Sequence, residues 1–314
     1  MTTPLSVGVM KSNDRILPSY VLVTPVRNEE KHIEVTIESV LAQTVKPIEW
    51  VIVSDGSTDR TDEIVSRYAE SIDWIRLFRR CETGQHSFSS KVCSFNVGLQ
   101  NLGAKNYQYI GNIDGDISFD NHHFEFLLDR FSEDSSLGLA GALMVQKGYD
   151  VRRGSFFDDR DVFGACQFFR RECFEQIGGY QPIPGGGVDW LAVRMSRMRG
   201  WKTKTFMERT FLHHGVMGNR GRSGWYARFD YGRKDWSFGN SFLWESMRVL
   251  FQMRTKPYII GGIVLGLGYL SAALSRAKSG IPEDVRRFHR EDQHARLRCL
   301  LRSRIPLRWK AGKQ

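Results

Sequence analysis

The sequence lacks the signatures of several large protein classes. Its five cysteines are an odd number with no Cys-x-x-Cys pair, so neither a zinc site nor a disulfide framework is indicated. No Gly-x-x-x-x-Gly-Lys-Ser/Thr loop is present, which argues against a P-loop nucleotide site. There is no internal repeat, and no apolar run before Tyr20 forms a secretory signal. We therefore expect reduced thiols in a cytoplasmic setting.

What remains has the composition of a soluble globular protein, with 41% hydrophobic and 25% charged residues. The net charge of +10 is unevenly distributed along the 314 residues. Residues 276–314 hold 12 Lys and Arg against 4 Asp and Glu, a surplus of 8 positive charges. A basic tail of this kind predicts an anionic partner, lipid or nucleic acid, rather than part of a core.

Strands and helices are predicted to alternate through the first half of the chain. Runs rich in β-branched and aromatic residues predict strands at 20–24, 48–53, 74–78 and 107–113. Apolar residues at helical spacing lie between them, and the first strand is expected to stop at Pro25. This order is typical of an α/β fold with a doubly wound, mostly parallel sheet.

Aspartates follow two of these strands, and ligands bind at the carboxyl ends of strands in such sheets. Asp55 and Asp59 follow the second strand, while Asp114 and Asp116 follow the fourth with one glycine between them. The sequence therefore predicts one shared crevice. Two like charges so close to a core need a cation beside them, and oxygen ligands suit Mg²⁺ or Mn²⁺.

The C-terminal region has a different character. Residues 257–275 carry no charge over 19 positions, which is close to the length needed to cross a bilayer. A buried core helix is one alternative, and a full span is another, although a full span would place the basic tail on the far side of the membrane. We expect a re-entrant or in-plane helix with the tail on anionic cytoplasmic lipid. Three regions are thus predicted: an N-terminal extension over 1–19, an α/β domain over 20–220, and a helical, membrane-associating extension with a basic tail over 221–314.

Three segments in order resemble the N-terminal motifs of family 2 glycosyltransferases, whose fold is called GT-A. They are TPVRNEE (24–30), VSDGSTDRT (53–61) and IDGD (113–116). The segment from Gly164 to Trp190 is similar to the acceptor side of that family. The resemblance covers roughly residues 18–215 and implies a nucleotide-sugar site at the carboxyl ends of the strands.

The resemblance implies a divalent metal, Mn²⁺ or Mg²⁺, on the diphosphate of the donor. Asp116 would bind it directly, and Asp114 would face the ribose or a water on the metal. Either His213 or His214 would complete the coordination or bind diphosphate. An ordinary packed histidine is an equally good interpretation of that pair.

Other residues would hold the nucleotide. By resemblance, Asp55 accepts a hydrogen bond from the base, and Lys91 pairs with a phosphate. The rest of the nucleotide pocket would be lined by Thr24, Pro25 and Glu29.

The resemblance places a catalytic base at Asp189. The family commonly has Glu-Asp at this point, whereas this chain has Val188 before the aspartate. One carboxylate suits a single displacement, in which it takes the proton of the acceptor hydroxyl. The alternative for Asp189 is a helix N-cap, in which case Asp161 or Glu172 would be the next candidates for the base.

The predicted function is an inverting, metal-dependent transfer of one sugar from a nucleotide donor to a membrane-linked acceptor such as a lipid-linked saccharide. The transfer would take place at the cytoplasmic face of a membrane, as a step in the synthesis of surface polysaccharide or glycoconjugate. No nucleic acid is expected as a partner. The Gln-x-x-Arg-Trp signature of processive synthases is absent. The alternatives are transfer to polyprenyl phosphate, and a non-catalytic scaffold with a degenerate GT-A fold.

Overall fold

The computed structural model describes residues 18–80, 88–147, 158–183, 186–215 and 224–302. The described strands are β1 (Tyr20–Val26), β2 (Glu49–Asp55), β3 (Ile75–Arg80), β4 (Tyr109–Ile113), β5 (Ile117–Phe119), β6 (Leu137–Gln146), β7 (Cys166–Arg170) and β8 (Lys202–His213). The described helices are α1 (Ile33–Leu41), α2 (Thr61–Ser71), α3 (Phe88–Gln100), α4 (His123–Glu133), α5 (Arg171–Gln176), α6 (Val188–Met198), α7 (Gly224–Phe238), α8 (Phe242–Gln252), α9 (Ile260–Leu274) and α10 (Glu283–Arg302).

The strands form a single eight-stranded sheet in the order β3-β2-β1-β4-β7-β6-β8-β5. The half formed by β3, β2, β1 and β4 is parallel, as predicted from the alternation of strands and helices. The other half is mixed, because β7 lies antiparallel between β4 and β6, and β5 lies antiparallel on β8. The α/β class is therefore confirmed, with antiparallel strands that the sequence pattern did not reveal.

The first strand runs beyond the point where it was expected to stop. Pro25 lies inside β1 and is in register with Val53 of β2, while pairing with β4 ends at Val23. The prediction that the strand stops at Pro25 was therefore wrong. Proline is tolerated here because β1 has no ladder partner on its β4 side at that level.

Both faces of the parallel half are buried. Tyr20 and Leu22 of β1 pack into one apolar cluster, and Val21 and Val23 of the same strand pack into a second. Side chains alternate between the faces of a strand, so two separate clusters mean that helices cover both sides of the sheet. This burial fixes the level at which the strands end and hence the position of the loops that follow them.

The C-terminal helices pack against one another and against the sheet domain. A Cβ at Gly232 of α7 would collide with the carbonyl of Leu265 in α9, so the two helices are in backbone contact. At the other end of this region, Ile281 and Val285 pack with Leu191 of α6 in a small buried cluster. The predicted boundary at residue 220 thus separates segments that share buried surface.

The uncharged segment 257–275 contains α9, which has two unlike faces. Leu265 and Tyr269 are buried, whereas Ile263, Leu267 and Leu270 on the other side are exposed. Within the described residues, no helix combines the length and apolar character that crossing a bilayer requires. The helix is therefore half core and half surface.

Candidate active site

Side chains from eight helices and strands converge on one cavity at the carboxyl ends of the parallel strands. Its volume is about 590 Å³. Among the residues that line it are Lys91 of α3, Asp114 after β4, Asp189 of α6 and His213 at the end of β8. Residues from 91 to 213 in the sequence are thus brought to one place by the sheet topology.

Two acidic side chains and one histidine form a compact cluster beside this cavity. Asp114, Asp116 and His213 each offer one ligand atom, and these three atoms lie within 4.8 Å of one another. His213 Nδ1 is 3.0 Å from the carbonyl oxygen of Gly215, which can only accept, so Nδ1 carries the proton. In the neutral ring this leaves a lone pair on His213 Nε2, which lies 3.7 Å from Asp116 Oδ2. Acceptors that face one another in this way fit a cation between them.

The neighbouring histidine points elsewhere. His214 Nε2 lies 2.8 Å from the hydroxyl of Ser118, and its ring stacks on His32 with centroids 5.9 Å apart. Successive residues at the end of a strand face opposite sides, which explains the division of roles. Of the two histidines left open by the sequence, His213 is the one beside the carboxylates.

The electrostatics of the cluster favour a bound cation. Burial, followed by the charge of Asp114, raises the pKa of Asp116 above its ordinary value, and the opposing effect of His213 and Lys91 is smaller. A carboxylate that is costly to ionise in this position becomes favourable to ionise when a divalent cation lies against it. The donor set, two carboxylates and an imidazole, fits Mn²⁺ or Mg²⁺.

Lys91 is paired within the same group. Its Nζ lies 2.5 Å from Asp114 Oδ1, and its side chain is 45% exposed. Burial by itself would lower the pKa of the Lys91 ammonium, but the charges of Asp114, Asp189 and Asp116 outweigh it and hold that pKa above its usual range. Lys91 is therefore a fixed positive charge at the mouth of the carboxylate cluster.

Asp55 is held by residues that the sequence pattern did not single out. It ends β2, is 5% exposed, and its Oδ1 lies 3.3 Å from Arg80 Nη1, while the Ser90 hydroxyl donates to its Oδ2. Arg80 stands opposite Asp55 in the β2–β3 register. A basic residue two positions beyond the predicted third strand was the available signal, and no role was assigned to it.

The loops of the first two motifs are hydrogen-bonded to each other and do not line the cavity. The backbone N–H of Thr58 donates to Asn28 Oδ1 at 2.8 Å, and the N–H of Glu30 donates to Asp59 Oδ2 at 3.1 Å. Asp59, predicted to share the crevice, is thus bound to the loop of the first motif.

The three residues predicted to line the nucleotide pocket differ in position. The Thr24 hydroxyl is buried and accepts from the Trp50 indole N–H at 2.9 Å, so this side chain faces the core. Pro25 is partly exposed near the end of β1, and Glu29 lies close to Gly115 of the Asp-Gly-Asp turn. Their contact with a nucleotide stays a prediction.

Asp189 lies in the first turn of α6, where a helix dipole favours a negative charge. Its carboxylate packs against the backbone of Gly164, since a Cβ there would lie 2.6 Å from Asp189 Oδ2. The two alternative bases are placed differently. Asp161 lines the cavity but is ion-paired with Arg194 at 2.9 Å, and Glu172 is exposed on α5.

The C-terminal helices complete the wall beside Asp189. Phe238 of α7 stacks on Trp190 with ring centroids 4.4 Å apart, and His289 of α10 meets the same ring edge-on at 4.9 Å. Phe238 also leaves no space for a Cβ at Gly187, which has φ 101° and precedes α6. Sequence reasoning missed this wall, because nothing local in the chain relates residues 238 and 289 to residue 190.

Comparison with known proteins agrees with this geometry. The family model described as "Glycosyl transferase family 2" matches residues 21–155. The uncharacterized glycosyltransferase EpsJ of Bacillus subtilis is 31% identical over 137 residues, which cover 44% of this chain and 37% of that protein. The glucosyl-dolichyl phosphate glucuronosyltransferase of Haloferax volcanii is 26% identical over 171 residues, with 48% of this chain and 51% of that protein covered. The chain spans about half or less of the length of these two relatives.

A solved structure extends the likeness to the C-terminal helices. The mannosyltransferase PcManGT of Pyrobaculum calidifontis, in complex with GDP-Man and Mn²⁺, superposes with a TM-score of 0.54 over 92% of this chain and 81% of its own. At 18% identity the likeness concerns the fold alone, which is GT-A. Residues 21–155 of this chain therefore form a family 2 glycosyltransferase domain within a GT-A fold.

Proposed function

We propose that this protein is an inverting, metal-dependent glycosyltransferase that moves one sugar from a nucleotide-sugar donor to a hydroxyl group of a membrane-linked saccharide. The observation that carries the proposal is the common cavity. Lys91, Asp114 and His213 line it together with Asp189. Groups suited to binding a metal diphosphate and a carboxylate suited to accepting a proton therefore face the same space.

In this proposal the donor binds on the strand side of the cavity. Asp114, Asp116 and His213 would hold the divalent cation, which when bound would stabilise the charge that develops on the leaving diphosphate. Lys91 contributes a second positive charge there, and Asp55, fixed by Arg80, hydrogen-bonds the base. Lys91 is ion-paired with Asp114 of the proposed metal site, whereas Asp55 and Arg80 pair with each other outside the lining of the cavity.

Asp189 acts on the acceptor. Its carboxylate takes the proton of the attacking hydroxyl while the oxygen displaces the nucleoside diphosphate from the face opposite to it. One displacement inverts the anomeric configuration, and the nucleoside diphosphate leaves with the electron pair of the broken glycosidic bond.

The membrane-linked acceptor is supported by two observations. A relative whose name states that it acts on glucosyl-dolichyl phosphate is 26% identical to this chain over 171 residues. The exposed face of α9 presents Ile263, Leu267 and Leu270 to solvent, close in sequence to the basic C-terminal segment. An apolar face with adjacent positive charge suits the cytoplasmic surface of an anionic membrane.

Donor hydrolysis tests the reaction without knowledge of the acceptor. Nucleotide sugars are screened for release of nucleoside diphosphate with Mn²⁺ or Mg²⁺, and the Asp116→Ala variant should lose the metal-stimulated release. The matched control is Asp120→Asn, which changes a carboxylate ion-paired with Arg209 at 3.3 Å outside the cavity. A parent protein that neither binds nor hydrolyses any nucleotide sugar would establish the scaffold alternative.

Flotation with anionic vesicles tests the membrane contact. Leu267→Lys combined with Leu270→Lys should abolish flotation, whereas high salt should release the parent only in part, because screening leaves apolar insertion intact. Val35→Lys, on an exposed apolar residue of α1, is the control. Parent protein that stays unbound at low salt contradicts the membrane proposal.

A further inference from the structure

The inner wall of the cavity contains donor groups that no described residue satisfies. Arg194 of α6 lines the cavity and is 4% exposed. Its Nη2 is ion-paired with Asp161 at 2.9 Å, but its Nε and Nη1 have no hydrogen-bond partner among the described residues. An unsatisfied donor on a buried cation is costly, and such groups are normally matched by a ligand or another polar atom.

A second unsatisfied polar atom belongs to His289, whose other ring nitrogen is part of a hydrogen-bond network. The backbone N–H of Ser241 donates to Gln293 Oε1 at 2.9 Å, which fixes the orientation of that amide. Gln293 Nε2 then lies 2.8 Å from both Asn240 Oδ1 and His289 Nε2. The amide nitrogen can only donate, but His289 Nε2 also lies 2.9 Å from Asn240 Oδ1, which can only accept, so these contacts are compatible with either ring tautomer. His289 Nδ1 has no partner among the described residues.

Both groups stand against the same indole. The guanidinium carbon of Arg194 lies 5.5 Å from the centroid of the Trp190 ring, and the His289 ring lies 4.9 Å from it. Trp190 directly follows Asp189 in the sequence, and all four residues line the cavity. The unsatisfied groups therefore lie beside Asp189 and Trp190 rather than beside the metal cluster.

The other acidic residues of the inner wall are already engaged. Asp292 is ion-paired with Arg197 at 2.5 Å, and Asp235 is ion-paired with Arg248 at 3.0 Å. They are not free to fill the vacant positions on Arg194. What is missing is a group with several acceptor oxygens and negative charge.

We infer that Arg194 and His289 form an oxyanion subsite for an acidic group of the acceptor, a phosphate or a carboxylate. Arg194 Nε–H and Nη1–H donate to its oxygens, as does His289 in the tautomer that is protonated at Nδ1, and the attacking hydroxyl of the same molecule faces Asp189. The inference rests on the proposed function only in making the acceptor the ligand of this subsite. The acceptor is then an anionic saccharide, not a neutral one.

Calorimetric titration of the full-length chain with inorganic phosphate and, separately, with acetate at constant ionic strength tests the subsite. Arg194→Lys keeps the charge and removes the forked donors, so anion affinity should fall about 10- to 100-fold, as expected for charge-assisted hydrogen bonds. Arg209→Lys, the same change at an exposed ion pair, should leave it unchanged. Lys91→Gln should also retain the anion, because Lys91 belongs to the diphosphate side.

The outcomes are distinct. Binding of phosphate alone assigns a phosphate-bearing acceptor, and binding of acetate as well assigns a carboxylate. Absence of binding to the parent, or affinity lost in Lys91→Gln but kept in Arg194→Lys, overturns the inference. If Arg194→Lys does not fold, a crystal structure of the parent protein grown with phosphate replaces the titration. Phosphate density beside Arg194 would support the inference, and phosphate density only beside Lys91 would contradict it. Failure of donor hydrolysis would refute the proposed function, but the titrations would still show whether Arg194 binds an anion.

Discussion

Replacing Asp189 by asparagine should separate donor binding from transfer. The amide keeps the shape that packs against Gly164 but cannot accept a proton. A general base contributes about 10² to 10⁴ in rate, so transfer should lose on the order of 3–5 kcal/mol of transition-state stabilisation. Donor affinity should change little, because Asp114 is the main carboxylate partner of Lys91 and the contribution of Asp189 is smaller.

The assay compares donor affinity by calorimetry with the transfer rate, measured on the same preparation with a saturating donor. Glu172→Gln, at an exposed carboxylate on α5, is the matched control and should behave as the parent. Equal losses in affinity and in rate would make Asp189 a structural residue. Near-normal transfer by Asp189→Asn would place the base elsewhere, and Asp161, which also lines the cavity, would be the next position to test.

Three further outcomes are expected. Phe238→Ala removes the ring that stacks on the tryptophan beside the base, and should lower the free energy of unfolding by about 2–3 kcal/mol, as measured by urea denaturation. In steady-state kinetics, the variant should lose more turnover than donor affinity. Unchanged stability would contradict this packing. Lys91→Gln should weaken nucleoside diphosphate binding about 10- to 100-fold and nucleoside monophosphate binding less, as measured by calorimetry. An equal loss for both ligands would show that Lys91 does not bind the diphosphate. Burial raises the pKa of Glu245 from 4.5 to about 7, so the folded chain holds this proton more tightly than the unfolded one. The resulting stabilisation is present below about pH 4.5 and is lost as the pH rises through about 7. Glu245→Gln should remove that part of the decline in urea denaturation series, and an identical pH slope in both proteins would show that another group causes it.

Local patterns were sufficient for the parallel half of the fold. Each of β1 to β4 is a short apolar run next to a helical face, and the aspartates at their ends needed only the rule that parallel strands finish at one edge. Asp55, Asp114 and Asp116 accordingly lie at strand ends as predicted, although Asp55 does not line the cavity that Asp114 lines. The choice of His213 over His214 needed the structure, since it depends on which face of β8 meets the Asp-Gly-Asp turn.

The acceptor side was predicted less completely because it is made by contacts between residues distant in sequence. Asp189 was found through a motif, but Phe238 and His289 carry no local signal that ties them to Trp190. The segment 257–275 shows the same limit. Its composition is that of a membrane helix, and only its packing on α7 shows that Leu265 and its neighbours belong to the core.

The small cluster that joins α10 to α6 has a consequence for local unfolding. Val285 is 1% exposed and Leu191 is 2% exposed, and they belong to the same buried cluster although they lie 94 positions apart in sequence. Separating α10 from the domain would expose the apolar side of the helix that begins at Val188. In native-state hydrogen exchange, the amides of α6 and α10 should therefore open together as one cooperative unit, with a common free energy and denaturant dependence.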